Sequence, residues 1–125
     1  MGVPPVHTRP NGASDELVAA VGKASEAFEY IVRARGHLYS CHQLIGRADF
    51  LLGDAADLLE EAGQSADAEH LRAHVVGRNV LDGRWTFQIV EEFDDLYFRC
   101  VEEALDELLR RHMGGARHVY EAELK

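Results

Sequence analysis

Residues 14–62 read SDELVAAVGKASEAFEYIVRARGHLYSCHQLIGRADFLLGDAADLLEEA. Every seventh residue from Leu17 is apolar: Leu17, Ala24, Ile31, Leu38, Ile45, Leu52 and Leu59. The column three residues on is small throughout: Ala20, Ala27, Ala34, Cys41, Ala48, Ala55 and Ala62. Six of those seven are alanine in a chain whose 125 residues include sixteen alanines, so the column is organised, not accidental. Such spacing is a heptad seam with apolar a and small d positions, which means helix against helix. Small d residues let a partner axis approach toward the lower end of the usual range of about 8–10 Å. The seam nominates Leu17, Ala20, Ala24, Ala27, Ile31, Ala34, Leu38, Cys41, Ile45, Ala48, Leu52, Ala55 and Leu59 as interface residues.

The unbroken phase favours one helix over 14–62, about 70 Å long. Against it stands Arg33-Ala34-Arg35-Gly36-His37, in which two arginines precede a glycine as at a helix end, so an antiparallel pair is the alternative. The flanks change sides at the same place. Val21 and Phe28 widen the stripe at e before it; Leu44, Leu51 and Leu58 widen it at g after it. A single helix of that length overhangs a compact small protein and calls for a second chain to cover it.

Outward from this stretch, residues 1–13 hold all three prolines and read as a flexible lead-in, with Ser14 the N-cap that follows. Gly63 stops the long element and Ser65 caps a short helix over 66–78 with Ala68, Leu71 and Val75 inward. Asn79 to Gly83 is a turn around Asp82-Gly83. Trp85, Phe87 and Ile89 alternate like a strand, but the longer window is helical. Phe87, Val90, Phe93, Tyr97, Val101, Ala104 and Leu108 form one face. Gln88, Glu91, Asp95, Arg99, Glu102, Asp106 and Arg110 form the other, with Asp95–Arg99 and Asp106–Arg110 as i,i+4 pairs. This long helix covers about 84–112 and ends at Gly114-Gly115. The expected architecture is an all-α helical bundle: a lead-in (1–13), one helical domain (14–115) and a C-terminal tail (116–125) able to dock as a short helix.

Thirteen Lys and Arg against 22 Asp and Glu give a net charge of −9, which argues against duplex nucleic acid and anionic membrane as partners. No apolar run reaches a bilayer-spanning length and the N-terminus lacks a signal-peptide core, so the expected location is the cytoplasm. Cys41 and Cys100 occupy apolar positions and read as buried reduced thiols. No nucleophile elbow or phosphate-binding glycine loop is present.

Metal chemistry is the remaining candidate. Di-iron bundles repeat an acid-x-x-His pair on two helices, and here Asp67-x-x-His70 occurs once. His70 and His74 share a helix face, and His118 precedes Glu121 by three. Asp94 lies between Val90 and Tyr97 on the apolar stripe, where a carboxylate needs a donor. His70, His74, Glu91, Asp94, His118 and Glu121 are therefore the candidate ligands for iron, zinc or manganese. His42 and Asp49, at e beside the seam, raise the same question of a buried polar group. The aromatics Trp85, Phe93 and Tyr97 read as core before they read as a ligand pocket. Gly46 and Gly53, seven apart inside a helix, suggest either a second close helix approach or tolerated drift. The expected function is non-catalytic: self-association, most simply as a homodimer, or binding of another helical protein. Metal binding is the alternative.

Overall fold

The computed structural model describes residues 5–125, so the first four residues of the expected lead-in lie outside the described residues. The fold is all-α: a 3-10 turn at Pro5–His7, then α1 (Asp15–Glu61), α2 (Ser65–His74), α3 (Thr86–Glu92), a π-helical segment (Phe93–Phe98), α4 (Arg99–His112) and α5 (Val119–Leu124).

α1 is one continuous helix of 47 residues. Ser14 caps it: the Leu17 amide donates to Ser14 Oγ at 3.1 Å, and the Val18 amide donates to the Ser14 carbonyl at 3.0 Å. The arginine-glycine signal at 33–36 does not end the helix. A terminating glycine takes a left-handed φ, and Gly36 does not. Both arginines instead lie along the helix over tyrosine rings, Arg33 on Tyr30 at 5.7 Å and Arg35 on Tyr39 at 5.9 Å. The true stop is Gly63, with φ of 81°. The Gly63 amide donates to the Glu60 carbonyl and the Gln64 amide to the Leu59 carbonyl, the double closure of a Schellman end.

The chain forms two compact units. The first joins the described residues up to Ala34 with Phe93–Lys125. Its core is Val18, Val21, Leu109, Met113 and Val119, flanked by Ala13, Leu17, Leu105 and Ala116. The expected tail is thus docked, since Val119 is buried. Arg9 of the expected lead-in ties it down further, pairing with both Glu123 and Asp15. Gly22 gives α5 its seat. A Cβ built there would lie 2.7 Å from Tyr120 Cβ, nearer than side chains ever sit.

The second unit is Arg35–Glu92. α2 ends at His74, four residues before the expected 78, because the chain turns through Gly77 at φ 75°. Gln64, not Ser65, occupies its N-cap, and no side chain caps it. Arg72 of α2 grips Asp57 at 2.7 Å and Glu60 at 2.6 Å on α1. Asp82-Gly83 makes the expected turn, closed by the Arg84 amide on the Leu81 carbonyl at 3.0 Å. α3 starts where the side chain of Gln88 reaches back to accept from the Trp85 amide at 2.8 Å, half of a capping box.

The expected helix 84–112 is present as α3, the π-helical segment and α4 in succession. The π turn takes up one extra residue and moves the inward face by one. Phe98, not Tyr97, packs inward, with its ring 5.2 Å from Phe28 and 6.4 Å from Phe93. Beyond it the buried line is Leu109 and Met113, and the expected Ala104 is exposed. Asp95 pairs with Arg99 as expected, at 3.5 Å, while Arg110 pairs with Glu107 in place of Asp106.

Replacing Gly22 by Ala is expected to destabilise the protein even though alanine is the better helix former. Overpacking costs about 1–3 kcal/mol against a propensity gain of up to about 1 kcal/mol. Gly36→Ala, where a Cβ meets nothing within 4 Å, is expected to stabilise. Urea denaturation should give opposite signs, and amide exchange in Gly22→Ala should quicken in α5.

Candidate functional site

Two features stand out, one in each unit. In the second unit the feature is the outer face of α1. With Leu17 as a, the chain's own elements cover the e positions and the a positions except Ile45, which keeps 39% of its surface exposed. Leu38, Leu52 and Leu59 at a are half-buried, and Ala56 at e is wholly buried. The d column faces outward: Cys41, Ala48 and Ala62 are exposed and Ala55 is half-buried. Beside it at g, Leu44 keeps 69% of its surface exposed, Leu51 48% and Leu58 64%. Of the nominated interface residues in the first unit, Leu17 packs against the core and Ala24 and Ile31 are half-buried, whereas Ala20, Ala27 and Ala34 are exposed.

The inward edge of α1 in this unit is polar. His42 Nδ1 is 2.6 Å from the Thr86 hydroxyl, and Asp49 Oδ1 accepts from the Gly77 amide at 2.7 Å. His42 and Asp49, half-buried at e, each thereby find a hydrogen-bond partner, as buried polar groups must. They work as latches that hold the loop after α2 and the start of α3 on α1. So the chain turns its His/Asp edge inward and its leucine edge outward.

In the first unit the feature is a cluster of Glu29, His118 and Glu121. Their nearest ligand atoms all lie within 4.8 Å of one another. Among the described residues this is the group of three His, Cys, Asp or Glu side chains close enough to share one cation. His118 Nδ1 is 3.2 Å from Glu121 Oε1. His118 has φ of 58°, unusual for a residue with a side chain, and it is the N-cap of α5. The His7 ring meets it edge-on at 6.1 Å, and His7 Nδ1 is 2.6 Å from the Arg117 carbonyl oxygen. Of the six candidate ligands only His118 and Glu121 belong to the cluster. His70 and His74 lie beside each other in α2 with tilted rings 4.8 Å apart, Glu91 is exposed on α3, and Asp94 is half-buried in the π-helical segment. Sequence spacing missed Glu29. It lies 89 residues before His118, and only the docking of α5 against Gly22 brings the two together.

Other expectations need correction. Cys41 and Cys100 are both exposed free thiols, not buried ones. Trp85 and Tyr97 are about half exposed, so neither is core, and Phe93 is half-buried with its ring 5.7 Å from Tyr97. Among the described residues no atom beyond the glycines' own stretch of helix comes within 4 Å of a Cβ built at Gly46 or Gly53, so no close approach is seen there. No helix among the described residues is long and apolar enough to cross a membrane.

Compared with known protein families, with characterised proteins and with solved structures, the chain matches none.

The electrostatics of α5 give a test of how its end is anchored. Arg9 holds the Glu123 carboxyl below its ordinary value of 4.5, chiefly through their hydrogen bond. A lowered native pKa adds stability that is complete above the ordinary value and is lost as pH falls through the lowered one. Acidification below about pH 4.5 should therefore loosen α5 in the native chain, read as faster amide exchange there. Arg9→Gln should start looser at neutral pH and lose less on acidification. An identical acid response in the two proteins would remove the anchor.

Proposed function

We propose that this is a non-catalytic, cytoplasmic helical protein that acts through self-association and protein–protein interaction. A second copy covers the outer face of α1 between Cys41 and Ala62. One observation carries this reading: α1 leaves Leu44 and Leu58 largely, and Leu51 about half, in water while it turns His42 and Asp49 toward its own chain. Soluble monomers rarely present a continuous apolar strip of this kind. The strip is about 33 Å long, and its d and g positions carry no charge. A two-fold homodimer is the commonest way to cover such a patch with an identical one, and the heptad spacing suits a helix as the covering element.

Sedimentation equilibrium at micromolar concentration should give a species of about twice the 13.9 kDa chain mass. Leu51→Glu should return it to monomer with helical circular dichroism intact, because position 51 is already half exposed. A native chain that stays monomeric at tens of micromolar ends this reading.

A second reading has one specific observation in its favour, the Glu29–His118–Glu121 cluster. Zinc, iron and manganese accept imidazole and carboxylate ligands. The 3.2 Å separation of His118 Nδ1 and Glu121 Oε1 matches the ligand–ligand edge of about 3.3 Å that zinc–ligand bonds of about 2.0–2.1 Å set in a tetrahedron. The exposed Glu29 side chain has freedom to draw in. In protein carrying His70→Ala and His74→Ala, which removes the other paired histidines, Zn²⁺ titration by calorimetry should show about one equivalent bound. His118→Ala and Glu29→Gln should each weaken it at least tenfold. Binding that survives both changes would place the ion elsewhere.

A further inference from the structure

The outer face of α1 also specifies which way a covering copy runs; this step rests on the self-association reading. From Cys41 to Leu58 the outward seam, exposed except for the half-buried Ala55, alternates small and large: Cys41, Leu44, Ala48, Leu51, Ala55, Leu58. In a parallel, in-register pair, like meets like. Leucine layers would alternate with alanine layers, and two straight helices cannot be wide apart and close together at successive layers. Voids at the alanine layers would forfeit contact. Reversing one helix removes the conflict. Cys41 then meets Leu58 of the other copy, Leu44 meets Ala55, and Ala48 meets Leu51. Every layer from Cys41 to Leu58 holds one leucine and one small side chain, and Ala62 beyond it falls opposite His37 of the other copy, so one axis separation serves the leucine layers.

The row of charges beside the seam agrees. At c stand Ser40, Arg47, Asp54 and Glu61, basic first and acidic after. In antiparallel helices this row runs beside its own copy reversed, whereas in parallel ones it runs beside the opposite flank. The opposite flank here is Leu38, Ile45, Leu52 and Leu59, which carries no charge. This register also sets the exposed Arg47 of one copy beside the exposed Asp54 of the other, twice by symmetry. Size selects the orientation and charge the register: shifted by one heptad, leucines still meet small residues (Ala48 with Leu58, Leu51 with Ala55, Leu44 with Ala62), but Asp54 then lies beside Asp54 of the other copy. We infer that the partner on this face is a second copy of the chain lying antiparallel, with the two-fold axis crossing the seam between Ala48 and Leu51.

Cys41 supplies the test, since it is exposed in the seam. In Cys100→Ser protein it is the only thiol. The two copies of Cys41 in the inferred dimer are about 25 Å apart along the seam, far beyond the Cα separation of about 4.4–6.8 Å that a disulfide needs. Mild oxidation of Cys100→Ser should therefore give no covalent dimer. Adding Leu58→Cys places a second thiol opposite Cys41 of the other copy and should give one readily. A covalent dimer from Cys100→Ser alone means parallel helices and overturns the orientation while self-association stands. A native monomer by sedimentation removes both. Charge exchange tests the register without new cysteines. Arg47→Asp and Asp54→Arg should each weaken dimerisation about fivefold at low salt, and the combined exchange should restore it to within about twofold. Singles whose effects simply multiply in the double variant would overturn the register.

Discussion

The decisive constraint in this protein is the phase of α1. A helix with apolar residues at a and small residues at d, flanked by leucines at g, has more apolar surface than the rest of its chain can cover. In the second unit the choice falls on the a and e side, and His42 and Asp49 hold it there through Thr86 and the Gly77 amide. Rotating α1 to bury Leu44, Leu51 and Leu58 would break both bonds, and each orphaned polar group costs about 1–3 kcal/mol if it stays buried. It would also bring Ala56 out of its fully buried place. It would expose Leu38, Leu52 and Leu59 as well, which the observed phase half-buries, so leucine burial gives the rotation no clear gain. Polar pairing within the unit adds support to the observed phase, which leaves the leucine edge at g as surplus apolar surface.

That phase explains what sequence reading could and could not reach. The Ser14 cap, the Gly63 stop and the Asp82-Gly83 turn are local. Each depends on residues a few positions apart and each is present in the structure. The a/d pattern, however, is equally compatible with burial through a/e or through d/g, because a column at a borders both. Which side faces the chain's own elements depends on contacts 28 residues apart in the case of Asp49 and Gly77 and 44 apart in the case of His42 and Thr86. The exposure of Cys41 has the same cause. A small residue at d reads as buried only if the chain itself supplies the opposing helix.

The π-helical segment is a second place where local pattern fell short. Across 93–98, Tyr97 and Phe98 are both aromatic, so the apolar stripe continues in sequence whichever of them points inward. The extra residue in the turn selects Phe98, which meets Phe28, and releases Tyr97 toward water. The i,i+5 approach of Phe93 and Phe98 is the packing that a π turn allows and an α-helix does not. Once the face has moved by one residue, α4 presents Leu105, Leu109 and Met113 to the first core. Periodicity read across the whole stretch with a single phase places Leu108 and Ala104 there instead.

Glycines inside α1 show why one residue type can mislead. Gly22, Gly36, Gly46 and Gly53 all carry the same propensity penalty of up to about 1 kcal/mol against alanine. At three of them a Cβ meets nothing within 4 Å. Only at Gly22 does another element need the space, and there the ring and Cβ of Tyr120 fill it. The pair spaced by seven looked purposeful in sequence and is open in the chain, whereas the isolated glycine does the packing. The consequence reaches the first unit's polar chemistry. α5 sits against α1 because Gly22 lacks a methyl group, and that seating carries His118 and Glu121 to Glu29. A cluster whose third member, Glu29, no spacing rule could propose thus depends on a side chain that is absent, and its geometry should respond to any residue larger than glycine at position 22.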